Sequence, residues 1–156
     1  VLLCSRSQRG KGRIFNIFNY KNAKKAEGKW QEQALLDGNY KAAMCNGEVL
    51  MVKAVRKSDG KKTNVLLFSV PMDDKRNYVG IYYKELASPA DYASPKCFTS
   101  GWKTFKVSNT DSAYSTMEQM SNGHIGFFYE ESHVKGGYQM VFCDYTLEQI
   151  TGGEFK

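Results

Sequence analysis

The 156 residues make one domain's worth of chain, and 42% hydrophobic with 13% aromatic residues supply ample core, which excludes an intrinsically disordered segment. A net charge of +6 suits an anionic partner, whether nucleic acid, an anionic sugar or an acidic surface, but the lysines are scattered, with short clusters only at Lys24-Lys25 and Lys61-Lys62. No stretch approaches the roughly 18 to 20 apolar residues of a membrane-spanning helix, so no membrane span is expected.

The chain opens on Val1-Leu2-Leu3-Cys4, an apolar run too short for the core of a signal peptide. Val1 to Ser7 reads as the middle of a strand, which suggests a piece of a longer protein. Gln8 to Gly12 is a turn, and Arg13 to Tyr20 (RIFNIFNY) alternates apolar and polar like a half-buried strand. Lys21 to Lys29 is polar and loop-like, closed by Trp30. Tyr40 to Cys45 and Val49 to Arg56 are expected to pair as a hairpin across Asn46-Gly47. Ser58-Asp59-Gly60 turns into the apolar strand Thr63 to Ser69, which Pro71 stops.

After the polar loop Met72 to Lys75, Arg76 leads into a strand over Tyr78 to Leu86. Ala87 to Ser100, with Pro89 and Pro95, is a long loop, and Lys103 to Ser108 is a short strand. Asp111 to Glu131 then reads as a hairpin on Asn122-Gly123, because both residues tolerate positive φ. A two-residue loop there sets Ser121 opposite His124 and Tyr114 opposite Glu131. Only one carboxylate of the Glu130-Glu131 pair can share the face of Tyr114, since successive strand residues point to opposite sides. Gly137 to Tyr145 is the last strand and Leu147 to Ile150 begins a short helix or turn. The aromatics Phe15, Phe18, Tyr82, Tyr83, Phe127, Phe128 and Phe142 are the expected core.

About ten short strands with Gly or Asn-Gly punctuation predict an all-β antiparallel meander, a sandwich or a propeller. At about 40 to 50 residues per blade the length supplies roughly three propeller blades. Cys4, Cys45, Cys97 and Cys143 lie far apart with no CxxC or Cys/His spacing, so they read as free structural thiols with no metal site. His124 and His133 are expected at the surface.

Several local patterns fall in order: Leu2 to Arg6 (LLCSR), Trp30 after a loop containing Gly28, Val65 to Arg76 (VLLFSVPMDDKR), Ala113 to Met117 (AYSTM), and Ser121 to Glu130 (SNGHIGFFYE). Taken together this order resembles the C-terminal part of a bacterial exo-α-sialidase (neuraminidase). The resemblance spans nearly the whole chain, and AYS followed by NGxIGxxYE is its most specific portion. It implies antiparallel four-stranded blades making the C-terminal half of a six-bladed β-propeller, with residues 1–156 forming part of the catalytic domain. It implies that Arg6 and Arg76 bind the substrate carboxylate, that Tyr114 is the nucleophile, and that Glu130 steadies a further arginine. The general base, the acid/base aspartate and that first arginine would precede Val1. No cofactor and no metal are implied. Sialylated glycans or glycoproteins and the remaining N-terminal part of the propeller are the implied partners, without nucleic acid, and a secreted or periplasmic location is implied.

The chemistry accounts for these residue types. Guanidinium groups bind a carboxylate through charge-assisted, often bidentate hydrogen bonds. A carboxylate nucleophile would be repelled by the sialic acid carboxylate, so a neutral phenol is the better attacker, and sialidases depart in this way from two-carboxylate glycosidases. A phenol of pKa about 10 then needs a neighbouring base.

Departures from the family are visible. Ser69-Val70-Pro71 replaces the usual Ser-Asn-Pro, the Ser-x-Asp-x-Gly-x-x-Trp turn survives only as Trp30, and Lys41 stands where many relatives carry a glutamine. Two rival readings remain: a non-catalytic carbohydrate-binding propeller, and a basic β-rich nucleic-acid-binding domain.

Overall fold

The computed structural model describes residues 1–7, 12–134 and 137–156. The described chain is all-β apart from one short helix and three single-turn 3-10 segments. The predicted turn over Gln8 to Gly12 falls mostly on residues 8–11, outside the described residues.

The strands are β1 (Leu2–Arg6), β2 (Arg13–Asn22), β3 (Glu27–Trp30), β4 (Ala34–Leu35), β5 (Val49–Val55) and β6 (Lys62–Pro71). Then come β7 (Val79–Leu86), β8 (Lys103–Lys106), β9 (Ser112–Gln119), β10 (Ile125–Val134), β11 (Gly137–Tyr145) and the helix α1 (Leu147–Thr151). They form three antiparallel sheets. The first joins β1, β2 and β3 in sequence with β4 also on β2, the second runs β5-β6-β7-β8, and the third runs β11-β10-β9.

The middle sheet is sandwiched between the other two, and β6 shows why. In Val65 to Val70 every residue is buried, and alternate side chains serve opposite layers. Leu66, Phe68 and Val70 face the first sheet, meeting Phe15, Ile17, Leu36, Phe98 and Trp102. Val65 and Leu67 face the third, with Val79, Ile81, Met117, Ile125, Phe127 and Tyr129. Such an uninterrupted apolar run belongs to a strand covered on both faces, whereas RIFNIFNY in β2 buries only alternate residues, Arg13, Phe15 and Ile17.

The 56–61 turn follows its chemistry. The Asp59 carboxylate accepts the Lys61 N–H at 3.2 Å and pairs with Arg56 at 2.8 Å, while Gly60 takes a positive φ of 70°. At the far end of the chain, Thr146 caps α1 by accepting from Gln149 N, whose side chain answers to Thr146 N. Beyond α1, Phe155 joins the core between the second and third sheets.

Four expectations are corrected. Tyr40 to Cys45 is not a strand, and Asn46-Gly47 is not a hairpin turn. The segment is irregular chain that buries Ala42, Ala43 and Cys45, held by Gly12 N to Ala42 O at 3.1 Å and Ala43 N to Pro71 O at 3.2 Å, while β5 pairs with β6 instead. Lys21 to Lys29 is not wholly a loop, since β2 continues to Asn22 and Glu27–Trp30 pairs back on it. Asn122-Gly123 does not close a two-residue turn. Met120 N bonds His124 O at 2.8 Å and Gly123 N bonds Met120 O at 2.9 Å, leaving a three-residue loop in which Gly123 alone has positive φ. Finally, Phe128 and Phe142 are not core: they are 44% and 50% exposed and stack on each other with centroids 4.7 Å apart. They sit on the outer face of the third sheet, which no other described layer covers.

Candidate functional site

The one-residue change in turn length sets the register of the hairpin. Ser115 pairs with Tyr129 and Ser112 with Glu131, so two residues of β9, Ala113 and Tyr114, oppose the single residue Glu130. This bulge replaces the predicted pairing of Tyr114 with Glu131. The two carboxylates consequently part. Glu131 turns inward, is 8% exposed and accepts a hydrogen bond from the Tyr129 hydroxyl at 3.2 Å. Burial is the first cause that pushes the Tyr129 phenol well above its ordinary range, and the Glu131 charge adds to it. Glu130 stays on the face of Tyr114 and accepts the Tyr114 backbone N–H at 3.4 Å.

Arg76 reaches Tyr114 through the backbone. Asn77 and Asp111 form an isolated antiparallel bridge, and Ser112 N bonds Arg76 O at 2.9 Å. Met72 N to Tyr78 O at 3.1 Å closes the loop from Asp73 to Asn77, and the Asn77 side-chain amide donates to Asp73 at 3.0 Å. Tyr78 leaves that loop at a φ of 58°, an unusual conformation for a residue with a Cβ. Held this way, the Arg76 guanidinium lies 5.0 Å from the Tyr114 ring centroid, and its Nη2 donates to the Tyr114 hydroxyl at 3.2 Å.

Arg6 stands at the end of β1, where its Nη1 donates to Met44 O at 3.3 Å. Between the arginines lies Cys45, fully buried. Burial pushes its thiol up from the ordinary value, against the opposing pull of Arg76, Arg13 and Arg6, so it is an uncharged thiol at neutral pH. Arg6 bonds the residue next to Cys45, Cys45 packs with Ala43 and Ala113 beside Tyr114, and Tyr114 meets Arg76 and Glu130, so the four residues singled out in the sequence lie around one buried thiol. None of them lines the apolar cleft of about 510 Å³ between Val1, Leu2, Ile17, Val49, Met51 and Leu66; Arg6 and Arg76 are exposed, and Tyr114 and Glu130 are half-buried.

Sequence reasoning missed the support beneath this surface. Ser69 is fully buried and accepts both the Glu48 N–H at 3.1 Å and the Ser115 hydroxyl at 3.0 Å, tying β6 to β9 and to the segment before β5. The Glu48 carboxylate accepts from the Thr116 hydroxyl and from Met117 N. Gly47 passes so close to β6 that an added Cβ would sit 1.9 Å from Ser69 O. Ser-x-Pro in the sequence marked Ser69, but nothing marked Glu48, and Gly47 was read only as part of a hairpin turn.

Other singled-out residues play different parts. The Lys41 ammonium sits 3.6 Å from Asp74. Trp30 is 57% exposed and stacks on Phe18 at 5.1 Å. His124 lies at the surface as expected, with its Nδ1 2.7 Å from an Asp144 carboxylate oxygen, and the His133 side chain falls outside the described residues. Among the described residues the cysteines are free, no cluster of side chains could hold a metal, and no helix is long and apolar enough to cross a membrane.

No family model and no curated protein sequence matches the chain. Among solved structures it is similar to the intramolecular trans-sialidase from Ruminococcus gnavus in complex with oseltamivir carboxylate, with a TM-score of 0.55 at 12% identity. The match covers 96% of this chain and 33% of that one, so the chain spans about a third of the enzyme's length. What the two share is fold, and the antiparallel sheets described above are a sialidase-like all-β arrangement.

Proposed function

We propose that this chain is part of an exo-α-sialidase, its three sheets being blades of a six-bladed propeller, and that it works on terminal sialic acids of glycoconjugates. The observation that carries the reading is the Arg76 guanidinium 3.2 Å from the Tyr114 hydroxyl, on an open edge of a sialidase-like fold. Arg6 and Arg76 would hold the sialic acid carboxylate. The Tyr114 oxygen would attack the anomeric carbon as the bond to the leaving oxygen breaks, giving a glycosyl-tyrosine. A second attack from the same side, by water or by a hydroxyl of the sugar itself, would release product with net retention. The solved neighbour is named for the intramolecular form of that transfer.

Glu130, bonded to the Tyr114 backbone and not to its hydroxyl, is a supporting residue that would steady an arginine brought by another part of the protein. We assign the general base, the acid and that arginine to the rest of the propeller. Its next blade would cover the exposed face bearing Phe128, Phe142 and Met140. A secreted or periplasmic location and the absence of a cofactor complete the proposal.

One observation favours a second reading, a sialic-acid-binding propeller without turnover. Among the described residues no carboxylate bonds the Tyr114 hydroxyl, which accepts from Arg76. The deciding experiment is turnover of a fluorogenic sialoside by the longest protein carrying this chain, beside its Tyr114→Phe variant. Turnover that collapses in Tyr114→Phe is the expected result. Saturable sialic acid binding with no turnover would select the second reading, and neither would overturn both.

A further inference from the structure

Arg13 is the first residue of β2, directly across the ladder from Arg6, yet it is 2% exposed while Arg6 is solvent-exposed. Its guanidinium lies 5.7 Å from the Phe68 centroid, and its Nη2 lies against Gly47, where an added Cβ would come within 2.8 Å of it. Nε and Nη2 are both buried and make no hydrogen bond. These two nitrogens form the side of the guanidinium whose N–H bonds run parallel, the edge that grips a single anion or a carboxylate.

No acidic side chain answers this charge. All 16 Asp and Glu residues of the chain lie among the described residues, and the groups acting on Arg13 are the Cys4 and Cys45 thiols and the like-charged Arg6. Burial pushes the Cys4 thiol to about 11 and raises Cys45, so neither supplies a thiolate at neutral pH. Burial also draws Arg13 down from its ordinary value, with Arg6 adding to the effect, but a guanidinium starts so high that it keeps its proton. A buried charge with neither counter-charge nor hydrogen bonds is strongly disfavoured. The surroundings sharpen the imbalance, because Arg6 and Arg76 also bear on Cys45 and only Glu130 opposes them there. Water could satisfy the N–H groups but would leave the excess positive charge in place.

We propose that Arg13 binds a small monovalent anion, chloride-sized, on its Nε–Nη2 edge, beside the Cys4 and Cys45 thiols and behind the open site. The bound ion neutralises the buried guanidinium and stabilises the β1–β2 sheet against the segment before β5. This inference is independent of the sialidase reading, since it needs neither a sugar nor Tyr114.

The test is thermal unfolding of the chain in sodium chloride against sodium gluconate at equal ionic strength. An ion that binds only the folded state at ten times its dissociation constant raises the folded-to-unfolded ratio about elevenfold. Chloride is therefore expected to raise Tm saturably where gluconate does not. Arg13→Leu should lose the difference, and Arg76→Ala should keep it. Equal Tm in the two salts would overturn the proposal, as would a chloride effect that survives Arg13→Leu but vanishes in Arg76→Ala. If Arg13→Leu does not fold, bromide-soaked crystals of the unaltered chain decide. An anomalous peak touching Nε and Nη2 supports the site, and no peak there refutes it.

Discussion

The second and third sheets use the same apolar vocabulary for different ends. In the β5–β8 sheet both faces are covered, and β6 buries Val65 through Val70 without a break. In the β9–β11 sheet only one face is covered. Phe127 and Tyr129 point into the core, while Phe128 and Phe142 stack in the open beside Tyr114 and Glu130. The difference teaches that in this chain apolar content marks strands but not which strand faces are occupied. It also shows the candidate chemistry standing on a half-covered sheet braced by a fully covered one.

Breaking the covered sheet should cost most. Phe68→Ala removes a ring that meets Phe15, Tyr82 and Trp102 within about 6 Å, so a loss of about 3–5 kcal/mol is expected in urea unfolding. A loss below about 1 kcal/mol would mean that the two layers do not pack as described.

Next comes the close approach that seats the site on that sheet. Gly47→Ala drives a Cβ against Ser69 O, a backbone atom that cannot swing away, and about 1–3 kcal/mol of stability should go with it. Affinity for a sialic acid analogue should fall alongside, because the same segment carries Met44 O, the acceptor for Arg6.

On the covered face of the third sheet, Tyr129→Phe strips Glu131 of a buried donor, and about 1–3 kcal/mol should be lost. The matching change on the open face, Phe142→Ser, should stay within about 0.5 kcal/mol in the isolated chain. Together these two urea titrations measure the asymmetry directly.

The smallest effect distinguishes thiols. Burial raises both Cys4 and Cys45. At Cys97 burial also pushes upward, but the Ser94 hydrogen bonds and the Lys84 charge outweigh it and the net shift is downward. More thiolate at a given pH means faster alkylation. Mass spectrometry after brief iodoacetamide treatment at pH 8 should find Cys97 modified ahead of Cys4 and Cys45, with no effect on folding.

Much of this was legible in the residues themselves. TNVLLFS announced a buried strand by its unbroken apolar run, RIFNIFNY a half-buried one by alternation, and Ser58-Asp59-Gly60 a turn by the φ and Asx chemistry it displays. Tyr114, Glu130, Arg76 and Arg6 were singled out, and they are neighbours around one buried cysteine; that they form a site is a proposal. Register was not legible. Asn-Gly favours a two-residue loop, yet here the Asn122 side chain accepts the His124 N–H at 3.0 Å and the loop takes a third residue. Nor was the irregular segment over Tyr40 to Cys45. Its run of small apolar residues satisfies a strand pattern, while its hydrogen bonds go to Gly12 and Pro71 across the fold, which no local pattern records. Arg13 escaped notice because a basic residue at a strand's start ordinarily faces water.

The turn over Ser121, Asn122 and Gly123 lies about six residues of strand from Tyr114, or roughly 20 Å. The buried face of β10 decides which acid the tyrosine meets, since Phe127, Tyr129 and Glu131 share one side of the strand and Glu130 takes the other. Removing one residue from the turn would leave a two-residue turn still closed by Met120 and His124, with the pairing of Ser115 and Tyr129 unchanged. A deletion at the rim would therefore leave the acids where they are, and the turn is free to vary in length where the strand beneath it is not.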